Sequence, residues 1–191
     1  RVWTAAGLVQ PRRLVLLVAD HDLGLVRAAD RITEIGPGSG PDGGRIIVAG
    51  TVDEIAACPE APTGAALRGE FGIRQAIDTE PPWLQGPGRP DDARHENVPL
   101  ELTGVTTHNL RGVTASFPAP GFTVVTGPSG SGKSSLVFDT LLAESQARFA
   151  DLVSPWARRF LPMRGGAQLE TARNLRPAIA VPAQPGRRKP R

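Results

Sequence analysis

Eight consecutive residues, Gly127-Pro128-Ser129-Gly130-Ser131-Gly132-Lys133-Ser134, follow the pattern G-x-x-x-x-G-K-S. Glycines in such a loop let successive backbone N–H groups turn toward phosphate oxygens that a Cβ would push away. The lysine supplies a mobile cation for the β- and γ-phosphates, and the last hydroxyl is a ligand for Mg²⁺. Residue types and spacing therefore predict a site for a nucleoside triphosphate with Mg²⁺, here called the phosphate loop (residues 127–134).

Such a loop must lie between a strand and a helix, and its flanks fit that requirement. Residues 122–126 are β-branched or aromatic and lie between two glycines, which predicts a buried strand. From Ser134 onward the apolar residues fall on one helical stripe, and the N-terminus of that helix would direct its partial positive charge at the phosphates. The stripe consists of Phe138, Leu141, Leu142, Phe149, Leu152 and Val153. The alternative is a Gly/Ser turn that precedes a lysine by chance.

A second candidate residue, His21, lies in an upstream segment. Residues 14–19 are a continuous apolar run, typical of a parallel strand covered on both faces. Asp20, His21 and Asp22 follow at its C-terminal end, where open α/β sheets bind ligands. An imidazole there can donate to a phosphate oxygen, although a histidine satisfied by the local backbone is the alternative.

The remaining segments predict an α/β chain with a proline-rich interruption. A glycine-rich stretch at residues 36–44, here called the glycine turn, can form little but a turn. Thr51 and Glu54 have the spacing of a capping box that begins a helix. Helices are expected at 23–30 and from 51 to about 57, strands at 31–35, 45–49, 100–103 and 113–117, and a linker or surface excursion at 58–99.

Composition excludes several classes of site. The single cysteine, Cys58, rules out a disulfide framework within the 191 residues and any cysteine-rich zinc module, so a reducing, cytoplasmic location is expected. The three histidines are scattered, so the only metal implied is a Mg²⁺ bound with nucleotide. The longest apolar run is far below the roughly 20 residues that cross a bilayer, which predicts no membrane span and no signal peptide. Because the sequence begins with Arg1, we expect a piece of a longer protein.

Charge is unevenly distributed behind the net value of +3. Residues 154–191 contain nine Lys or Arg and one acid, which gives +8, whereas the first 153 residues carry 13 − 18 = −5. A basic terminal third could contact a nucleic-acid backbone, with Arg158, Arg159 and the cluster at 187–191 as candidates. The alternative is a solvated basic tail.

The upstream segment resembles the end of an ABC nucleotide-binding domain, with its strand, His-Asp, helix and "ADRI". Four stretches together resemble the UvrA family of ABC ATPases, and they cover most of residues 14–184. These stretches are "HDLGLVRAADRITEIGPGSGPDGGRIIVAGT", "LTGVTTHNLRGV", "TVVTGPSGSGKSSLVFDTLLAESQARFADLVSPWARRFL" and "LRPAIAVPAQ". The glycine turn and the extension from "FDTLLAE" to "SPWARRFL" are more specific than the phosphate loop, because ordinary transporter cassettes lack both.

The resemblance implies an incomplete α/β P-loop NTPase of the ABC type. It assigns residues 1–57 to the end of a first nucleotide-binding domain, 58–99 to a linker and 100–191 to the beginning of a second domain. It implies that His21 reaches the γ-phosphate, that Ser135 joins the phosphate and Mg²⁺ site, and that Gln184 takes the place of a Q-loop glutamine that senses Mg²⁺ and the attacking water. Members of the family recognise DNA damage in nucleotide excision repair. The resemblance therefore implies DNA, a second copy of the chain and an excinuclease subunit as partners.

Several family features are not found in these residues: an LSGG-type signature, an apolar run ending in Asp-Glu and paired cysteines. Because ABC sites hydrolyse ATP when the phosphate loop of one domain meets the signature of another, we expect little hydrolysis by this chain alone. Two other interpretations remain open. One is a UvrA-like ATP-binding protein in drug self-resistance or export, and the other is a degenerate fragment without activity.

Overall fold

The computed structural model describes residues 15–70, 98–149 and 166–180, and these form a mixed α/β structure with two sheets. The strands are β1 (Val15–Ala19), β2 (Arg31–Gly36), β3 (Arg45–Gly50), β4 (Leu100–Val105), β5 (Val113–Phe117), β6 (Gly121–Thr126) and β7 (Thr171–Arg173). The helices are α1 (Leu23–Ala28), α2 (Val52–Ala57), α3 (Pro62–Leu67) and α4 (Ala143–Phe149), with a π-helical segment at Ser135–Leu142 and a 3₁₀ turn at Gly40–Asp42. None of the helices in these ranges has the length and apolarity that a membrane crossing requires.

The main sheet has the strand order β1-β6-β2-β3. Strand β6 runs parallel to both of its neighbours, so that Val124 lies between Val18 of β1 and Ile32 of β2. Strand β3 pairs antiparallel with β2 on the far side. The strand that leads into the phosphate loop is therefore inserted between two strands of the upstream segment.

Two apolar cores lie against the main sheet. Val124 and Ile32 belong to one core with Val26 of α1 and Ile55 of α2, whereas the next residue of β6, Val125, belongs to the other. Successive side chains of a strand face opposite sides of a sheet, so β6 contributes to both cores. The second core is shared with the second sheet and with the segment after the phosphate loop, through Ile35, Leu102, Val105, Phe117, Leu136 and Leu141, among others.

The second sheet has the order β5-β4-β7, and both pairs are antiparallel. In β5 the odd-numbered residues Val113, Ala115 and Phe117 are buried and the residues between them are exposed. This alternation is the pattern of a strand with one face on the core. The pairing of β4 with β5 matches the prediction for residues 100–103 and 113–117, whereas β7 was not predicted.

Most upstream elements also lie where the sequence predicted them. The capping box of α2 is complete, because Glu54 N donates to Thr51 Oγ1 at 3.4 Å and Thr51 N donates to Glu54 Oε2 at 2.7 Å. Helix α3, in contrast, lies inside the range 58–99 for which no element was predicted. Pro62 is its first residue, where proline is favoured, but Gly64 is a poor helix former and the many prolines of this range predict a loop, so composition concealed the helix.

The helix after the phosphate loop differs from the prediction in its geometry. An amphipathic α-helix was expected, but Ser135–Leu142 is π-helical. The buried pairs Leu136–Val137 and Leu141–Leu142 are five residues apart, as is the contact of 2.7 Å between Thr140 Oγ1 and the carbonyl oxygen of Ser135. Burial thus follows the wider i→i+5 repeat, which the single-stripe pattern did not distinguish.

Candidate functional site

The phosphate loop leaves β6 at Thr126 and enters the π-helical segment. Gly127 has φ +136°, and a Cβ at this position would overlap the carbonyl oxygen of Ile35 on β2. Only glycine meets both conditions, because other residues seldom adopt this backbone conformation and all carry a Cβ. The first glycine of the motif therefore lets the loop begin directly against the neighbouring strand.

Lys133 lies folded back onto the loop. Its Nζ donates to the carbonyl oxygens of Gly127 and Pro128, at 2.9 and 2.8 Å, and the N–H of Ser131 also donates to Pro128, at 3.2 Å. Burial lowers the pKa of Lys133, and the negative charge of Asp20 partly opposes that shift. A cation and a backbone donor thus converge on one carbonyl oxygen. A phosphate oxygen could accept from the same two donors in place of that carbonyl.

The outer side of the loop is held by two other segments. Gly40 N and Asn109 Nδ2 both donate to the carbonyl oxygen of Gly130, each at 3.0 Å. Gly44 N donates to the carbonyl oxygen of Ser131 at 2.9 Å. The glycine turn and the loop between β4 and β5 therefore contact the phosphate loop on the side that the Gly130 and Ser131 carbonyls face, here called its outer side.

A cleft of about 550 Å³ opens beside the beginning of the loop. Its lining comes from the carboxyl ends of the three parallel strands and from α3, and includes Asp20, His21, Asp22, Glu34, Thr63, Gly127 and Pro128. The carboxyl edge of parallel strands is the usual ligand position in open α/β sheets. The fold therefore brings His21 and the first two residues of the phosphate loop, which are more than 100 positions apart in the sequence, to one cleft, while Lys133 and Ser134 are not part of its lining.

His21 itself is held loosely. Its side chain is 90% exposed, with Nδ1 at 3.7 Å from Asp20 Oδ1, while Asp20 Oδ1 accepts the N–H groups of His21 and Asp22 at 2.6 and 3.2 Å. Asp22 caps α1 through the N–H of Leu25 at 3.1 Å. The backbone of this turn is thus fixed by its own carboxylates, while the imidazole stays free to meet a ligand.

Glu34 is fully buried at the floor of this region. Its Oε1 accepts the N–H of Thr63 at 3.0 Å and Thr63 Oγ1 at 2.8 Å, and Thr63 Oγ1 lies 3.0 Å from Thr126 Oγ1. Because α3 has no side-chain cap at Ala61, the carboxylate supplies an acceptor for an N–H of its first turn. A buried network of hydrogen bonds thus joins β2, α3 and the residue that precedes the phosphate loop.

The serines of the phosphate loop and Ser135 differ in exposure. Ser129 and Gly130 are exposed at the tip of the loop, Ser134 is exposed, and Ser131 and Ser135 are buried. The hydroxyl of Ser131 has no hydrogen-bond partner, whereas Ser135 Oγ lies 3.3 Å from His108 Nδ1. Among the described residues no group of three or more His, Cys, Asp or Glu could hold a metal. Gln184, Arg158, Arg159 and the cluster at 187–191 lie outside the described residues.

Sequence reasoning missed three residues of the site, Asn109, Glu34 and Thr63. Asn109 lies on a loop and Glu34 in the middle of a strand, so neither position has a spacing that points to the phosphate loop. A carboxylate between Thr33 and Ile35 in an apolar strand was the one visible signal, because a charged residue is almost never fully buried unless it is paired.

The chain matches no protein-family model, but it is similar to curated proteins and to a solved structure. It is 38% identical over 142 residues to UvrABC system protein A of Escherichia coli (strain K12), which is 73% of this chain and 14% of that protein. It is 42% identical over 129 residues to UvrABC system protein A of Thermus thermophilus, which is 67% of this chain and 12% of that protein.

The solved structure is the crystal structure of UvrA2 from Deinococcus radiodurans, with 38% sequence identity over 79% of this chain and 15% of that one, and a TM-score of 0.25. The chain thus spans only a small part of the length of the proteins it matches. Because sequence relatives at 38% and 42% identity over about 70% of the chain carry one name, the chain belongs to the UvrA family as a partial chain.

Proposed function

We propose that this chain binds ATP with Mg²⁺ at residues 127–135 and forms the ATP-binding portion of a UvrA-like, ABC-type ATPase that recognises damaged DNA in nucleotide excision repair. The observation that carries the proposal is the convergence of Lys133 Nζ and the N–H of Ser131 on the carbonyl oxygen of Pro128. The same donors suit a phosphate oxygen, and the loop has the length and the flanking elements that such binding needs. Membership in the UvrA family supports the cellular role.

The described residues fit the group they would hold. The loop has glycine where a Cβ would overlap β2, a lysine whose Nζ donates to two carbonyl oxygens of the loop, and a buried hydroxyl on Ser131 without a hydrogen-bond partner. In the bound chain, Lys133 would contact phosphate, Ser134 would hold Mg²⁺, and His21 would donate to the outermost phosphate from across the cleft. A bound Mg²⁺ neutralises phosphate charge and orients the phosphates.

Binding and hydrolysis are separable in this proposal. Catalysis of phosphoryl transfer depends almost wholly on positioning and charge stabilisation, which need groups on both sides of the phosphates. Gln184 is proposed as the residue that completes Mg²⁺ and water binding, and a second copy of the chain or another domain as the source of the opposing surface. We propose DNA and an excinuclease subunit as partners of the full-length protein, and the cytoplasm as its location.

Binding of a fluorescent ATP analogue to the purified chain, with Mg²⁺ present, tests this function. We expect saturable binding by the unmodified chain and at least a tenfold loss with Lys133→Ala, since the variant lacks the cation that faces the phosphates. Arg148→Ala is a matched control, because it removes a cation of similar size whose partner is Glu144 on α4. Equal binding by all three chains, or none by the unmodified chain, would refute the proposal.

A further inference from the structure

The glycine turn has no role in the site as proposed above, although it donates two hydrogen bonds to the phosphate loop. Two of its N–H groups, from Gly40 and Gly44, donate to the carbonyl oxygens of Gly130 and Ser131. Gly44 also packs so closely on the backbone of Asn109 that a Cβ there would overlap the Asn109 carbonyl oxygen. The turn and Asn109 therefore form one surface against the outer side of the loop.

These contacts determine which way two consecutive peptide groups of the loop face. In a planar trans peptide the carbonyl oxygen and the following N–H point in opposite directions. When the carbonyl of Gly130 faces Gly40 and Asn109, the N–H of Ser131 must face away from them, and the same holds for the carbonyl of Ser131 and the N–H of Gly132. The N–H of Ser131 accordingly bonds Pro128, on the inner side of the loop.

We propose that Asn109 and the glycine turn are positioning elements of the phosphate site, which hold the Gly130 and Ser131 carbonyls outward so that the next two N–H groups face the phosphates of a bound nucleoside triphosphate. The inference rests on the proposed function of the loop as a phosphate site. It gives the glycine turn a task in nucleotide affinity, although the turn contributes no group to the ligand. Asn109 is the part of this surface that a side-chain substitution can remove.

The carbonyl oxygen of Gly130 is the point at which the inference can be tested most directly. It accepts from two donors, so that loss of Asn109 Nδ2 leaves one and lets the peptide group rotate more freely. A net hydrogen bond of ordinary strength corresponds to a change of about threefold to tenfold in an equilibrium constant. We therefore expect Asn109→Ala to weaken binding of the ATP analogue by about that factor, at unchanged secondary structure.

Asn174→Ala is the matched control. Asn174 also donates its Nδ2 to a backbone carbonyl, that of Pro99 at 2.8 Å, and it has φ +55°, where alanine is strained. This variant should lose at least as much thermal stability as Asn109→Ala and keep the affinity of the unmodified chain. The proposal would be overturned if the two variants lost affinity for the ATP analogue in proportion to their loss of thermal stability. It would also be overturned if Asn109→Ala kept the affinity of the unmodified chain.

A measurement without nucleotide separates this inference from the proposed function. Amide hydrogen exchange at Ser131 and Gly132 in the full chain should accelerate about threefold to tenfold in Asn109→Ala, and not in Asn174→Ala. If the unmodified chain bound no nucleotide, the proposed function would fail, yet faster exchange would still support the positioning of the loop. Equal exchange in all three chains would overturn the inference even if ATP bound normally.

Discussion

Replacing Glu34 by alanine should destabilise the chain far more than replacing an exposed glutamate. The carboxylate is fully buried, and its Oε1 accepts two hydrogen bonds from Thr63, at 3.0 and 2.8 Å. Glu34→Ala leaves the N–H of Thr63 buried without an acceptor, at about 1–3 kcal/mol, and opens a cavity, while the Thr63 hydroxyl keeps only Thr126 Oγ1 as a partner. Removal of Oε2, which has no partner, offsets part of this loss. We expect a decrease of about 3 kcal/mol in the free energy of unfolding.

For a chain of this size such a change corresponds to a fall of roughly 6–12 °C in Tm. Urea unfolding followed by circular dichroism gives the free energy, and Glu34→Gln is the informative companion because it keeps one oxygen acceptor for Thr63. We expect the glutamine variant to lose about 1 kcal/mol, and Glu60→Ala, at an exposed site, to change little. The buried network would not be what holds α3 if the free energy of unfolding of Glu34→Ala lay within about 1 kcal/mol of that of the unmodified chain. The same would follow if glutamine were as destabilising as alanine.

Two further predictions concern Lys133 and the capping box. Burial lowers the pKa of Lys133, so between its folded-state and unfolded-state pKa values the folded chain binds fewer protons than the unfolded chain. In that pH range stability should therefore rise with pH, while affinity for the ATP analogue falls because Lys133 loses its charge. Titration of affinity from about pH 7 to about pH 10 checks this, and the curve of Lys133→Arg should stay flat, since arginine keeps its charge. Thr51→Ala should lower the free energy of unfolding by about 1 kcal/mol, since α2 loses its cap to Glu54 N. Chemical unfolding measures this loss, with Thr106→Ala, at an exposed threonine, as the control. Equal free energies of unfolding in the two variants would contradict the prediction.

The sequence predicted elements well where local chemistry determines them. The phosphate loop between β6 and a helix follows from glycine and lysine spacing, and the start of α2 follows from two residues three positions apart. Both depend on contacts within a few residues, which a pattern in the chain records directly. The same holds for β4 and β5, whose alternation shows the face that is buried.

Other features depend on contacts between distant residues, and no local pattern records them. The π-helical geometry of Ser135–Leu142 involves Thr140, whose Oγ1 lies 2.9 Å from Thr107 Oγ1, thirty-three positions away. The contact between Asn109 and Gly130 and the burial of Glu34 beneath α3 are of the same kind. The assignment of residues 1–57 and 100–191 to two separate domains stays a prediction, and strands from both ranges share the main sheet.

The insertion of β6 between β1 and β2 has a consequence for the order of events during synthesis. In the described residues β1 and β2 have no ladder with each other, and each pairs in parallel with β6. Because residues 15–36 precede residues 121–126 in the sequence, a ribosome releases both flanking strands long before the strand that joins them. A nascent chain without residues 121–126 exposes the edges of β1 and β2 that β6 covers in the folded sheet. Closure of such long loops is slow compared with helix or hairpin formation, and exposed edges invite association with other chains. We expect the upstream half to need protection by a chaperone or by a neighbouring domain until the centre of the sheet has been made.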